Sequence, residues 1–302
     1  TLQYYWEAMK NHKTSGLVLT AAVVLGSILD TIIPILSKNF FDILFDGGVK
    51  EEIVKSLIGV LVLMGVFKLV RWLLWRVASF SMNFFESRTM VDLSRQGFDY
   101  LQKHSFSYFS NNFPESIVKK HKSFINTFEF LTDQLFFEIV PGVVSVTVMI
   151  FVLGQINVFL GWGMLGWMVL FLLINWLFVK YKLKYDLQRS EAETATSGLL
   201  ADTVSNNFNI KLFNGYIYES EAYGNLSEVL HKIRKFTWDM GAVFYGAQSF
   251  LMLVFEILIY YLAVRWWQRD LLTVGDFVLI QSYLFSAVMM VWDFGRIMTR
   301  VY

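Results

Sequence analysis

Residues 139–179 form a run of 41 positions without a single Asp, Glu, Lys or Arg. A helix needs about 20 residues to cross a hydrocarbon core of roughly 30 Å, so this run predicts two successive membrane crossings. We expect the turn between them at residues 154–157 (GQIN), because Gly and Asn favour turns. Soluble cores rarely need so long an uncharged stretch. The chain is therefore predicted to be a membrane protein.

The composition supports a membrane location and excludes several other classes. Only 17% of the 302 residues are charged, whereas soluble domains carry about 25%. The absence of Cys excludes disulfides, zinc-thiolate sites and iron–sulfur sites. The 4 His residues show no metal-binding spacing, so no metal or cofactor site is predicted in this chain. A net charge of +1 is not the basic footprint of a nucleic-acid-binding protein, and no such partner is expected.

Hydropathy predicts an all-α membrane protein with six transmembrane helices. The predicted spans are residues 14–45, 53–80, 134–155, 157–180, 238–267 and 273–295. Residues 1–13 are amphipathic and aromatic, which predicts an elbow helix lying on the membrane surface. The two long segments between spans, 81–133 and 181–237, keep apolar residues at helical spacing. Each is predicted to extend the membrane helices as a hairpin of two helical arms.

The distribution of positive charge predicts that both termini are cytoplasmic. Of the 26 Lys and Arg residues, 18 lie in the segments assigned to the cytoplasm and 4 in the outer loops. Cytoplasmic loops of membrane proteins carry such an excess. The long hairpins are then cytoplasmic, with breaks at residues 111–114 (NNFP) and 213–215 (FNG) marking their tips. Because such arms are costly to order alone, a cytoplasmic partner is expected at the tips.

Three stretches resemble the transmembrane domain of type I ABC exporters. Residues 271–278 (LLTVGDFV) are similar to the family's entry into its sixth helix. Residues 198–202 (GLLAD), followed by 210–213 (IKLF), resemble its fourth-helix arm and second coupling helix. Residues 108–112 (YFSNN) resemble the entry to its first coupling helix. The resemblance covers nearly the whole chain and assigns residues 14–302 to one six-helix domain.

The resemblance implies the permease domain of an ATP-driven exporter. Such a domain pairs with a second copy or a paralogue to form a translocation path, and it couples that path to cytoplasmic nucleotide-binding domains. The residues implied in coupling are Ser110, Asn111, Asn112, Phe113 and Pro114 at the first tip, and Phe213, Asn214, Gly215, Tyr216 and Glu219 at the second.

The ATP chemistry is expected outside this sequence. The chain has no Gly-x-x-x-x-Gly-Lys-Ser/Thr phosphate loop, so ATP and Mg²⁺ are expected in an associated nucleotide-binding domain. We expect a half-transporter without that domain, either truncated or a separate membrane subunit, that is not catalytic alone. The resemblance implies a small amphipathic, lipid or peptide substrate, and a bacterial plasma membrane is the expected location.

The first hairpin departs from the family's pattern at three places. Glu115 stands where the family usually has Gly, Lys119-Lys120 where it has Ser-Arg, and Ser123-Phe124 where it has Asn-Asp. These differences concern the first coupling contact and leave the predicted topology unchanged.

Two acidic residues are candidates for the translocation path, because charges are costly in lipid. Glu256 lies about 15 Å along its helix from Trp266, and Asp30 about 18 Å from Asp42, which places both near mid-bilayer. Each is predicted either to line the cavity or to pair with a basic residue of another helix. If they line the cavity, cationic amphipathic substrates are favoured. The basic residues of the second span, Lys68, Arg71 and Arg76, are expected to snorkel towards the cytoplasmic surface.

Two other function classes remain open. One is a membrane scaffold or receptor subunit whose arms bind a regulatory protein without transport. The other is an ATP-independent carrier or channel, for which inverted repeats with broken helices are expected. The two halves of the sequence show no convincing self-similarity.

Overall fold

The computed structural model describes the backbone of residues 2–301 and the side chains of residues 2–290. Over this part of the chain, every regular element is helical, which confirms the all-α prediction. The elements are α1 (Leu2–Lys10), α2 (Lys13–Phe45), α3 (Lys50–Gln102), α4 (Phe106–Asn111), α5 (Pro114–Gln134), a π-helical turn (Leu135–Ile139), α6 (Val140–Ile156), α7 (Val158–Ser205), α8 (Asn207–Leu212), α9 (Tyr216–Trp267) and α10 (Val274–Val301).

Five helical stretches are long and apolar enough to cross a membrane. They are Lys13–Phe45, Lys50–Gln102, Pro114–Ile156, Val158–Ser205 and Tyr216–Trp267. A shorter apolar stretch, Val274–Met290, lies in α10 and corresponds to the sixth predicted span. That span was predicted to reach residue 295, and its last five residues lie outside the described side chains. The chain is thus a multi-span helical membrane protein.

Several helices continue far beyond the thickness of a bilayer. α3 has 53 residues and α9 has 52, which correspond to about 80 Å each at 1.5 Å per residue. A hydrocarbon core of about 30 Å accommodates less than half of such a helix. The prediction that membrane helices extend into long helical arms is confirmed.

The turn between α6 and α7 falls at Asn157, within the stretch where the sequence predicts it. The Phe159 N–H donates to Asn157 Oδ1 at 2.9 Å, which caps the start of α7. A Cβ atom on Gly161 would lie 2.9 Å from the Cα of Gly154. The absence of a side chain at Gly161 therefore lets the two helices meet closely at their turn.

The helices form two compact units, and each is considered by itself. The first contains the residues up to Met164 together with Tyr260–Ile297. α2 and α3 are its main packed pair, and α1 is attached through Tyr5, which is 4% exposed. The Tyr5 hydroxyl donates to the Phe124 carbonyl oxygen at 2.6 Å, and the Tyr5 ring stacks on that of Phe124 at 5.0 Å. The elbow helix is thereby fixed to the arm formed by α5.

The second unit contains Leu165–Ile259 and pairs α7 with α9. Gln248 Nε2 donates to Asn175 Oδ1 at 2.9 Å, and both side chains are buried. One turn along each helix from this amide pair, the ring of Phe178 stacks on that of Phe244, with centroids 3.5 Å apart. Buried amide pairs hold transmembrane helices in register because each amide would otherwise lack a partner in an apolar medium.

Candidate functional site

The first hairpin tip is a six-residue helix with a sharp break on either side. Ser105 caps α4, and its Oγ accepts from the Tyr108 N–H at 3.4 Å. Asn112 ends the helix, and its Nδ2 donates to the Tyr108 carbonyl oxygen at 2.9 Å. Pro114 then starts α5 at a position that needs no N–H donor. The predicted tip residues Ser110 to Pro114 therefore lie together at the end of the two arms.

The second tip is also a six-residue helix, α8, but it ends at a residue in the left-handed conformation. Asn214 has a φ of 55°, the left-handed conformation that ends many helices. The Gly215 N–H donates to the Ile210 carbonyl oxygen at 2.8 Å, and the Asn214 N–H donates to that of Lys211 at 3.3 Å. These bonds close α8 as a Schellman motif. The predicted residues of this tip lie at the end of α8 (Phe213) and in the first turn of α9 (Tyr216 and Glu219). Glu219 Oε2 accepts a hydrogen bond from Thr203 Oγ1 at 3.1 Å.

Both tips expose large apolar side chains. Phe113 at the first tip is 84% exposed, and Phe213 at the second is 79% exposed. The structure adds three exposed aromatic residues that the sequence analysis did not single out: Phe106, Phe208 and Tyr218. Contiguous exposed apolar surface in a folded protein usually marks an interaction site. Short helices with aromatic faces thus end both hairpins.

Asp30 lies in an interhelical ion pair. Its carboxylate pairs with the Arg71 guanidinium of α3, and it also accepts from Trp75 Nε1 at 3.1 Å. All three basic residues are exposed, but among the described residues only Arg71 has a carboxylate partner, whereas Lys68 and Arg76 on the same helix have none. Of the two alternatives for Asp30, the structure places it in the pair with a basic residue.

Glu256 occupies a different environment in the second unit. Its side chain is exposed on α9, and Leu253 and Ile257 beside it are 51% and 61% exposed. Among the described residues its carboxylate has no ion-pair partner. A carboxylate on an apolar helix face is costly in lipid, so within a predicted span it favours a polar cavity or a pairing partner.

A second ionic cluster joins the end of α2 to the start of α10, and the sequence analysis did not predict it. Lys38 Nζ lies 2.7 Å from Asp42 Oδ2 and 3.2 Å from Asp276 Oδ1. Asp276 is 4% exposed. Lys38 also donates to Thr273 Oγ1 at 3.3 Å. One ammonium group thus forms ion pairs with two carboxylates, one on its own helix and one on α10.

The residues of the motif at 271–278 make direct contacts with this ionic cluster. Thr273 and Asp276 form a capping box, in which the Thr273 N–H donates to Asp276 Oδ2 at 2.7 Å. The Gly275 N–H donates to Asp42 Oδ1 at 2.8 Å. A Cβ atom on Gly275 would overlap the Lys38 carbonyl oxygen and lie 2.6 Å from Asp42 Oδ1. Glycine is required here because α2 approaches the backbone of α10 directly.

Glu86 is an acidic group of α3 beyond the predicted second span, and it faces α5. Burial raises the pKa of its carboxyl from 4.5 to about 7. A hydrogen bond with Thr132 at 2.7 Å lowers the pKa, while the negative charges of Asp133 and Glu129 raise it. The folded protein therefore binds a proton at Glu86 more tightly than the unfolded chain does.

The raised pKa of Glu86 predicts that the stability of the folded protein depends on pH. Because the pKa is higher in the folded state, the stabilisation is complete below about pH 4.5 and is lost as the pH rises through about 7. The melting temperature of the protein should therefore fall between about pH 5 and 8, and Glu86→Gln should flatten that fall. Thermal unfolding in detergent measures both. Glu52→Gln, at an exposed site of the same helix, is the control and should leave the profile unchanged.

Comparisons with known proteins identify the family. Residues 17–291 match the model of the ABC transporter transmembrane region. Heavy metal tolerance factor 1 of Caenorhabditis elegans is 21% identical over an alignment of 288 residues that covers 91% of this chain and 35% of that protein. A bacterial Atm1-family ABC exporter, solved with ATP bound, superposes with a TM-score of 0.75 at 17% identity, over 94% of this chain and 50% of that one.

The matches cover different shares of the related proteins, and these shares decide which conclusions they support. The chain spans about a third of the nematode protein and half of the bacterial exporter. The structural match concerns the fold, since the sequence identity is low. The family match covers nearly the whole chain and agrees with the resemblance of its motifs. This chain belongs to the ABC transporter transmembrane region family, with the fold of a type I exporter.

Proposed function

We propose that this chain forms half of the translocation path of an ATP-driven exporter and receives force at its two hairpin tips. The observation that carries the proposal is the exposure of aromatic side chains at both tips, with Phe113 84% and Phe213 79% exposed. Each tip ends a pair of long helices, and a rigid helix transmits a displacement at its tip along its whole length. Nucleotide-binding domains are the proposed occupants of both tips.

The transport cycle follows from two states of these helices. ATP binding in the docked domains, with Mg²⁺ at the phosphates, would draw the tips together, and hydrolysis would release them. The arms carry that movement into the bilayer, so that the path opens to one side at a time. The domains are proposed to lie in the cytoplasm, on the side of both termini, whether they belong to the same polypeptide or to another.

Glu256 supports a path lined by a second transmembrane half. Its carboxylate lies on an exposed apolar face of α9 and has no ion-pair partner among the described residues. A second copy or a paralogue placed against this face would enclose the carboxylate in a shared cavity. Such a cavity would favour cationic amphipathic substrates over anionic ones, because an unpaired carboxylate attracts positive charge in a medium of low dielectric constant.

One experiment separates this function from a membrane scaffold. The chain, assembled with its nucleotide-binding domains in proteoliposomes, should hydrolyse ATP in a vanadate-sensitive manner, and a cationic amphipathic dye should stimulate the rate. Glu256→Gln should reduce that stimulation and leave the basal hydrolysis rate unchanged. Binding of a regulatory protein at the tips without any ATP-dependent movement of dye would instead favour the scaffold.

A further inference from the structure

A cavity of about 360 Å³ lies between the elbow helix α1 and the two arms of the first hairpin. Its walls come from α1, α3, α4 and α5, and they include Tyr4, Tyr100, Tyr108, Lys120, His121 and Phe124. This volume falls within the range of small-molecule sites. The larger groove nearby is lined by α5 alone and is an open helix face. The smaller cavity is the more enclosed of the two.

The lining of this cavity is rich in unused hydrogen-bond donors. The hydroxyls of Tyr4, Tyr100 and Tyr108 have no hydrogen-bond partner within the described part of the chain. The Lys120 ammonium and the His121 ring likewise form no ion pair there, and no carboxylate lines the cavity. Several donors, one of them an ammonium group, around a space without acidic groups suit the oxygens of a phosphate.

Two further groups narrow the chemistry of the occupant. Gln96 also lines the cavity, and its Oε1 is buried without a hydrogen-bond partner among the described residues, so a hydroxyl of an occupant that reached it would supply the missing donor. The rest of the wall is apolar and includes Leu101, Ile117 and Phe124. An occupant that satisfies this set carries a phosphate, a hydroxyl-bearing head and an apolar portion.

The elbow helix places this cavity beside the lipid. Leu2 and Trp6 on α1 are 74% and 60% exposed, and the Lys10 ammonium lies 5.7 Å from the Trp6 ring centroid. An amphipathic helix with exposed Trp, Leu and Lys binds at a membrane surface. Tyr4 of the same helix forms part of the cavity wall. The occupant is therefore within reach of the neighbouring leaflet.

We propose that this cavity binds the headgroup of an anionic phospholipid whose head carries free hydroxyls, such as phosphatidylglycerol. The phosphate contacts Lys120, His121 and the tyrosine hydroxyls, a head hydroxyl donates to Gln96, and the first part of the acyl chains covers the apolar wall. Bound lipid would then join the elbow helix to the first hairpin.

The test compares lipid selectivity in matched variants. The full chain in nanodiscs is probed with spin-labelled phosphatidylglycerol against spin-labelled phosphatidylcholine, at about 1 M salt so that unspecific surface attraction is screened. The wild type should prefer phosphatidylglycerol. Lys120→Gln should reduce that preference about tenfold, as expected for the loss of a charged hydrogen bond. Tyr108→Phe, which keeps the charge, should reduce it about threefold.

Lys122→Gln is the matched control, because it removes the same charge from the same helix and Lys122 does not line the cavity. Its lipid preference should equal that of the wild type. Equal losses in Lys120→Gln and Lys122→Gln, or no loss in Tyr108→Phe, would overturn the proposal. Displacement of the lipid by soluble glycerol phosphate would also overturn it by assigning the site to a free phosphate. Melting temperatures in phosphatidylcholine confirm that each variant is folded.

Discussion

Replacing Phe213 by Ala is expected to uncouple ATP hydrolysis from movement of the membrane helices while the assembly stays intact. The side chain is 79% exposed at the second tip, next to the left-handed turn at Asn214. An aromatic side chain at the centre of an interface contributes about 2 kcal/mol or more, so its loss should weaken docking at this tip about thirtyfold. The first tip and the other exposed aromatics keep the domains attached.

The measurement follows distances within the membrane, and it needs no knowledge of the substrate. Pairs of spin labels on the transmembrane part of α9 report the ATP-dependent change in distance by pulsed electron paramagnetic resonance. Co-purification of the nucleotide-binding domains reports assembly. Phe98→Ala is the control, since Phe98 is 58% exposed on α3 and lies outside both tip segments in the sequence. A wild-type change in distance in Phe213→Ala would show that the second tip does not transmit the force.

Local signals in the sequence were sufficient for the helical class and for several helix ends. The uncharged run at residues 139–179 predicted two crossings, and the turn falls at Asn157 because its side chain can cap the next helix. Pro114 and the Asn214-Gly215 pair mark where the second arm of each hairpin begins, since both act through the backbone of their immediate neighbours, whereas the first arms end earlier, at Gln102 and Ser205. Such signals need no tertiary information.

Contacts between distant parts of the chain could not be predicted from local sequence patterns. The pairing of Asp30 with Arg71 depends on how α2 and α3 are rotated against each other, and no spacing within either helix specifies that rotation. Hydropathy also gave no indication that Phe106 and Phe208 would be exposed, because an aromatic residue in a helix is more often buried. The motif around Gly275 was noticed through its resemblance, whereas its physical reason lies in a helix more than 200 positions earlier.

Lys38→Met is expected to destabilise the first unit strongly. It leaves Asp276, whose side chain is 5% exposed, and Asp42 without the cation that lies between them. Removing one partner of a buried ion pair typically costs about 3 kcal/mol or more, because the remaining charge stays buried without compensation. Unfolding in mixed micelles, followed by the loss of helical circular dichroism, gives the free energy directly. Lys68→Met, at an exposed position of α3, should change it by less than about 0.5 kcal/mol.

A double mutant separates this electrostatic cause from simple loss of packing. Asp276→Asn keeps an oxygen that can still accept from the Thr273 N–H, so the cap of α10 survives while one negative charge is removed. In the Lys38→Met background this second change should recover about half of the lost free energy, whereas in the wild type it should be destabilising. Additive losses in the two single variants and the double variant would show that the ammonium acts only as a spacer. Recovery would show that the charge at Lys38 holds the C-terminal part of α2 to the start of α10.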